Sequence, residues 1–193
     1  MSGFSPRQLT LAAMTAAVYG VLGYFGDLFG LNFGPVQVRF AEALSVLPFL
    51  LPATAPGLAV GCLITNLLSP YGPADVVLGT LATALAARLT ARASRWYLAP
   101  LPPILLNLLL LPPMWAWQQT GTLTAPFWSA WAMHSVTFAV GQTIACYGLG
   151  TLLLRLLTPL LEHQGRRRQA SGGPGSEHTE RPRQKPEPSD KRE

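Results

Sequence analysis

The chain has 193 residues and a formal net charge of +5, and from Leu9 to Leu157 it is a succession of apolar runs. Between Met1 and Leu154 its charges are five arginines, the carboxylates Asp27, Glu42 and Asp75, and no lysine. That is too few to cover a soluble domain. Most of the charged residues, of both signs, lie in Glu162–Glu193, where Arg166, Arg167 and Arg168 open a hydrophilic tail.

The first apolar run, Leu9–Phe25, follows a single Arg7 and lacks a small-x-small cleavage site, so it reads as a retained span and not a signal peptide. It carries Ala12, Ala13, Ala16, Ala17 and Gly20. These overlapping small-x-x-x-small pairs let another helix, of this chain or of another subunit, approach closely. A bilayer core of about 30 Å asks for roughly twenty apolar residues per helix. Ala74–Ala93 and Ala130–Leu157 meet that requirement as Leu9–Phe25 does. Leu101–Trp117 adds a further span, with Pro102 and Pro103 in its first turn and Pro112 and Pro113 predicted to kink or end it.

Phe40–Leu68 is interrupted by Pro48, Pro52, Pro56 and Gly57. We read it as two short helices joined around Ala53–Gly57, the alternative being one broken helix. Short helices leave polar ends inside a membrane, which is allowed only where protein or a water-filled cavity covers the freed backbone groups. Solute-binding transporters meet that condition. The expected fold is thus an all-α membrane protein, a six-helix transmembrane bundle over residues 1–160, followed by a basic tail over 161–193 too rich in Gly, Pro, Ser and mixed charge to fold. Arg88, Arg92 and Arg95 precede the fifth span, and Arg155 and the tail follow the sixth, so the positive-inside rule predicts both termini in the cytoplasm. Asp27–Arg39, Ser69–Pro73 and Gln118–Trp128 then face outward.

A charged side chain at mid-membrane costs about 2.5–3.5 kcal/mol, so each intramembrane polar group is a candidate for function. With this topology Arg39, Glu42, Asn66, Asp75, Trp115, Trp117, Gln118, Trp131, His134 and Gln142 all belong to the outer half. Trp131, Ser135, Phe138 and Gln142 fall within about 60° of one another on one helical face, an aromatic and amide stripe suited to a flat heterocycle. A membrane-interface belt for Trp128 and Trp131, and an interhelical hydrogen bond for Gln142, are the structural alternatives. Arg39 and Glu42, three apart, could neutralise each other as a helical pair. Asp75 follows Pro73 at a helix start, where a carboxylate caps exposed N–H groups. Asn66 and Asn107 sit in aliphatic surroundings where each amide needs a partner, and Asn107 lies deeper. Cys62 and Cys146 read as small core residues with no predicted disulfide. His134 by itself makes no metal site, and no metal or cofactor is predicted.

The sequence contains no GxxxxGK[ST], HExxH or GxSxG motif. ATP-driven transport would therefore need separate ATPase subunits. His134 and Ser135 point about 100° apart on a helix and cannot form a nucleophile-base pair, which argues against an intramembrane hydrolase.

VRFAEALSVLPFLLPATAPGLAVGCLITNLL at 38–68, ADVVLGTLATALAA at 74–87, LAPLPPILLNLLLLP at 98–112 and GQTIACYGLG at 141–150, taken in that order, resemble the QueT queuosine-precursor transporter family. The resemblance implies the substrate-binding S-component of an energy-coupling-factor (ECF) importer, a six-helix membrane protein that joins a T-component and two ABC-type ATPases. It implies a 7-deazaguanine solute such as the 7-cyano or 7-aminomethyl compound, bound near the outer face, and a first-helix surface, matched here by Ala12, Ala13, Ala16 and Ala17, that meets the T-component. The family's last-helix motif usually reads Gly-Glu where this chain has Gly141-Gln142. For such a solute the expected ligands are Glu42 or Asp75 accepting its N–H donors, Asn107 and Gln142 completing the edge, and a tryptophan, Trp115 or Trp131, stacking on the ring, with Asn66 and His134 nearby. An S-component for another vitamin-like heterocycle and a membrane scaffold that binds no solute are the competing readings.

Overall fold

The structure, a computed structural model, describes residues 4–32 and 37–171. It divides into Met1–Pro159 and Leu160–Glu193. All of its regular elements are helical: α1 (Pro6–Leu28), a 3₁₀ helix (Phe40–Phe49), α2 (Ala55–Asn66), α3 (Pro73–Thr90), α4 (Leu101–Thr120), α5 (Ala125–Thr143), a π-helical segment (Ile144–Gly150) and α6 (Thr151–Ser171), with short 3₁₀ turns at Pro52–Thr54 and Trp96–Leu98. Among the described residues three helices are long and apolar enough to cross a membrane: Pro6–Leu28, Trp96–Thr120 and Ala125–His163. Asp75 and Arg88 lie within α3, and this helix, expected as a span, is not among the three.

Local chemistry accounts for most helix ends. Ser5 caps α1 through a reciprocal pair: Gln8 N–H donates to its hydroxyl at 3.3 Å, and Ser5 N–H donates to the Gln8 side chain at 2.9 Å. Pro112 and Pro113 do not end α4, which runs to Thr120. Gly121, at φ +66°, closes it with its N–H on the Trp117 carbonyl at 2.8 Å. The sixth predicted span begins five residues early, at Ala125, and continues through the π-helical segment into α6. The helix also continues past His163 to Ser171, where a disordered tail was expected. The predicted tail from residue 172 onward lies outside the described residues.

Two short helices do form between Phe40 and Asn66, but the first is 3₁₀ and the join falls at Leu50–Thr54. Ten residues is long for a 3₁₀ helix. Every residue from Ala41 to Pro48 is buried. Helices α1 to α5 pack in sequence order, each on the next, while the 3₁₀ helix contacts α1, α3 and the π-helical segment and so lies inside the row. The outward surfaces are apolar, with Met14, Val21, Phe25, Ile64, Val77, Leu109, Met133 and Val136 exposed, whereas Arg39, Glu42, Asp75, Asn107 and Gln142 are buried. Lipid-facing apolar side chains around a polar interior are what a bilayer requires.

Glycines permit the closest approaches. A Cβ on Gly141 would overlap the Gln37 backbone carbonyl, and one on Gly57 would overlap that of Ala12. At Gly150 it would lie 3.0 Å from Val46 Cγ1 and 3.2 Å from the Ala43 carbonyl, so the 3₁₀ helix and the extended residues leading into it seat on a glycine face. Gly141→Ala is expected to lower stability by about 1–3 kcal/mol. Gly148→Ala, where nothing lies within 4 Å, should leave the melting temperature in detergent unchanged or raised, and equal melting temperatures for the two variants would contradict the packing.

Candidate functional site

The interior cluster begins where the chain enters the 3₁₀ helix. In that geometry residues i and i+3 eclipse, so Ser45 stands over Glu42 and its hydroxyl donates to Glu42 Oε2 at 2.8 Å. Tyr19 Oη, from α1, donates to Glu42 Oε1 at 2.8 Å. Both oxygens of a fully buried carboxylate are thereby satisfied. Arg39 is the extended residue before the first turn, at φ −86° and ψ 94°, and so leaves the stripe that carries Glu42. The expected Arg39–Glu42 helical pair does not form, and Arg39 Nη2 lies 3.7 Å from Asp75 Oδ2 on α3.

Asp75 does not cap α3. Gly72 is the N-cap, without a side-chain cap bond, and the Asp75 carboxylate turns inward, where Trp115 Nε1 donates to Oδ1 at 3.3 Å. Its other oxygen, Oδ2, is buried and accepts no hydrogen bond. The Arg39 guanidinium carbon lies 5.6 Å from the centroid of Trp115 and 5.8 Å from that of Phe138, within cation–π range of both. Around this centre Tyr71 stacks on Trp115 at 5.0 Å and 25°, while Phe138 and His134 meet it edge-on at 5.2 and 6.0 Å.

The amides divide into two kinds. Asn66 Nδ2 donates to the Asp75 carbonyl at 3.3 Å and to Cys62 Sγ at 3.3 Å, and Thr83 Oγ1 donates to the same sulfur at 3.2 Å. Cys146 Sγ, which the π-helical segment carries, donates to Gln142 Oε1 at 3.4 Å and approaches the Glu42 carbonyl at 3.5 Å. Both cysteines are buried and free, and each serves the polar network as well as the packing. The bond to Gln142 comes from its own helix, so the interhelical bond considered for it is not made. Gln142 Nε2 and both amide atoms of Asn107 have no hydrogen-bond partner, although both residues are about 1 % exposed. Leaving such groups unmet costs about 1–3 kcal/mol each, which makes them groups that need an explanation.

Six of the eight side chains expected at a site, Glu42, Asn66, Asp75, Asn107, Trp115 and Gln142, are thus buried in the interior. Asn107 and Trp115 share a face of α4, about 12 Å apart along its axis. His134 stands at the edge of the cluster, its Nε2 3.1 Å from Gln119 Oε1. Trp131 is half-buried near the start of α5, 5.5 Å from the Trp128 ring and 6.1 Å from that of Phe127, an aromatic group of the kind found at a membrane interface. Sequence reasoning missed Tyr19, Tyr71 and the inward turn of Arg39, whereas Phe138, expected on the aromatic and amide stripe of its helix, does meet Trp115. Tyr19 lies on the same α1 face as Ala12 and Ala16, where a hydroxyl needs an interior partner, and that signal was legible.

The four alanines of α1 also divide. Ala12 and Ala16 are buried against α2, next to Gly57 and Gly61, while Ala13 and Ala17 are exposed. An apolar groove of about 230 Å³ runs along this surface, lined by Phe4, Leu9, Ala12, Ala13, Ala16, Pro56, Gly57 and Val60. A hollow of about 10 Å³ within the cluster is lined by Tyr19, Gly23, Asn32, Arg39, Ala41, Thr65 and Asn66. Among the described residues no three His, Cys, Asp or Glu side chains could hold a metal ion. The cluster offers carboxylate and amide hydrogen-bonding groups beside aromatic faces, the chemistry of binding a planar polar molecule.

Residues 9–159 match the family described as QueT transporter. A relative from Lactococcus lactis subsp. cremoris (strain MG1363), Queuosine precursor transporter QueT, is 34 % identical over 76 residues, which are 39 % of this chain and 44 % of the relative. The matched region thus spans under half the length of that protein. No solved structure matches the chain. A family match that runs from the first helix through the π-helical segment and takes in every residue of the buried cluster places this membrane protein in the QueT transporter family.

Proposed function

We propose that this chain is the solute-capturing S-component of an ECF-type importer, and that its solute is a 7-deazaguanine precursor of queuosine, such as the 7-cyano or 7-aminomethyl compound. The observation that carries the reading is a set of buried polar atoms that make no hydrogen bond to the protein, on Asn107, Gln142 and Asp75, with Trp115 held against Asp75. The name of the Lactococcus lactis relative, a queuosine precursor transporter, supports the class of solute.

Within that reading the roles follow from which groups are already engaged. Both oxygens of Glu42 accept hydroxyl protons, so Glu42 organises the interior. Asp75 Oδ2 accepts an N–H of the ligand, Asn107 and Gln142 meet the rest of its edge, and Trp115 lies against the ring. Asn66 and His134 support this set from either side, and Trp131 anchors α5 at the interface. The ligand enters from the extracellular side, and both termini are cytoplasmic. The exposed Ala13 and Ala17, with the groove beside them, receive the T-component, which couples the protein to two ABC-type ATPases. The chain itself has no catalytic role.

Asn107→Leu should weaken binding of 7-aminomethyl- or 7-cyano-7-deazaguanine by about 1–3 kcal/mol, roughly 5- to 150-fold in Kd. It should leave the ligand-free melting temperature unchanged or higher, because no protein bond is lost. Glu42→Ala should instead destabilise the fold by about 1–3 kcal/mol, since two buried hydroxyls lose their acceptor. Calorimetry and thermal melts in detergent read both, and wild-type affinity in Asn107→Leu would refute its role. Ala13→Phe is expected to abolish co-purification with a T-component while sparing solute binding; retention of the complex would move the interface elsewhere. For orientation, Thr122→Cys should react with a membrane-impermeant maleimide on intact cells and Ser94→Cys only after lysis, and the reverse pattern would invert the topology.

A further inference from the structure

The side chain facing Asp75 is itself a planar guanidine. A guanine-type base carries the same unit, because its N1, C2 and N3 with the 2-amino group form three nitrogens around one carbon in a plane. Arg39 therefore presents to Asp75 the donor chemistry that the ligand would present. It does so in the surroundings a base needs, within 5.6 Å of the Trp115 centroid and 5.8 Å of that of Phe138.

We propose that Arg39 is a built-in competitor of the ligand: its guanidinium and the guanidine edge of a planar base are alternative partners for Asp75 Oδ2 in the Trp115–Phe138 slot. The inference rests on the proposed deazaguanine reading and adds to it how the site is held closed. Three observations support an exchange. The Arg39–Asp75 separation is 3.7 Å, beyond hydrogen-bond length, so this is an ion pair without the short parallel bonds of an arginine fork. Trp115 Nε1 holds the other oxygen, Oδ1, at 3.3 Å, so the carboxylate stays aimed when its partner changes. Arg39 precedes the first turn of the 3₁₀ helix in an extended conformation, so a change of its rotamer breaks no backbone bond of that helix.

A competitor and a ligand contact predict opposite signs. If Arg39 competes, the apparent affinity is the intrinsic one multiplied by the fraction of molecules in which Asp75 is free of the guanidinium, and removing the guanidinium restores the intrinsic value. Calorimetry on the full chain in detergent, with 7-aminomethyl- and 7-cyano-7-deazaguanine as probes, should give a Kd about tenfold lower for Arg39→Gln than for the wild type. Arg39→Lys, which keeps the charge but lacks the planar fork, should shift in the same direction and decides the matter if Arg39→Gln does not fold. Binding by the variants but not by the wild type would support both readings. Equal or weaker binding by the variants, with the wild type binding, would overturn the competitor and leave the solute assignment intact. Binding by none of the three proteins would overturn the solute assignment and the competitor with it.

Discussion

Two carboxylates and one guanidinium are buried inside a bundle whose outer surface is apolar, and the rest of the interior is arranged to make that tolerable. A charge in such surroundings must be paired or fully hydrogen-bonded, and removing one partner of a buried pair costs about 3–5 kcal/mol. Glu42 meets the requirement with two hydroxyls, Tyr19 from α1 and Ser45 one 3₁₀ turn along. Asp75 meets it with an indole N–H and Arg39. The fold can thus be read as a shell of helices closed around three charges, with the 3₁₀ helix supplying two of the three side chains from its first turn and the residue before it.

The close approaches of backbone serve the same end. Gly141 lets the Gln37 carbonyl lie against α5, which sets the position of the chain two residues before Arg39. Gly57 and Gly61 bring α2 onto Ala12, Ala16 and Tyr19, which delivers the Tyr19 hydroxyl to Glu42. The π-helical segment, with its wide turn, carries Cys146 inward toward Gln142 and the Glu42 carbonyl. π-helical turns within α-helices concentrate at functional sites, and this one forms one wall of the polar interior.

Satisfied and unsatisfied groups in the cluster have different meanings. Glu42, Asn66, Thr83 and Cys62 have protein partners and hold the interior together. Asn107, Gln142 Nε2 and Asp75 Oδ2 have hydrogen-bonding capacity that the protein leaves unused. In apolar surroundings unused capacity is unfavourable for the fold, and in the proposed reading a bound solute meets it. Under the proposed function the same distinction makes Glu42 an organiser of the interior and Asp75 a ligand contact.

The sequence by itself determined the class of fold, because runs of apolar residues with three carboxylates among them can only be stable as helices in a membrane. It also determined which polar residues would be buried, since an amide or carboxylate in an aliphatic helix has few other places to go. Only the tertiary structure decided the partners. Arg39 is three residues from Glu42 and thirty-six from Asp75, and spacing alone favours the nearer carboxylate. The 3₁₀ geometry and the extended entry at Arg39 turn it to the farther one. The division of the α1 alanines is of the same kind, for identical residues one position apart differ only in which neighbour the bundle places against them. Pairing across a bundle depends on which helix faces land together, and no periodicity within one helix encodes that.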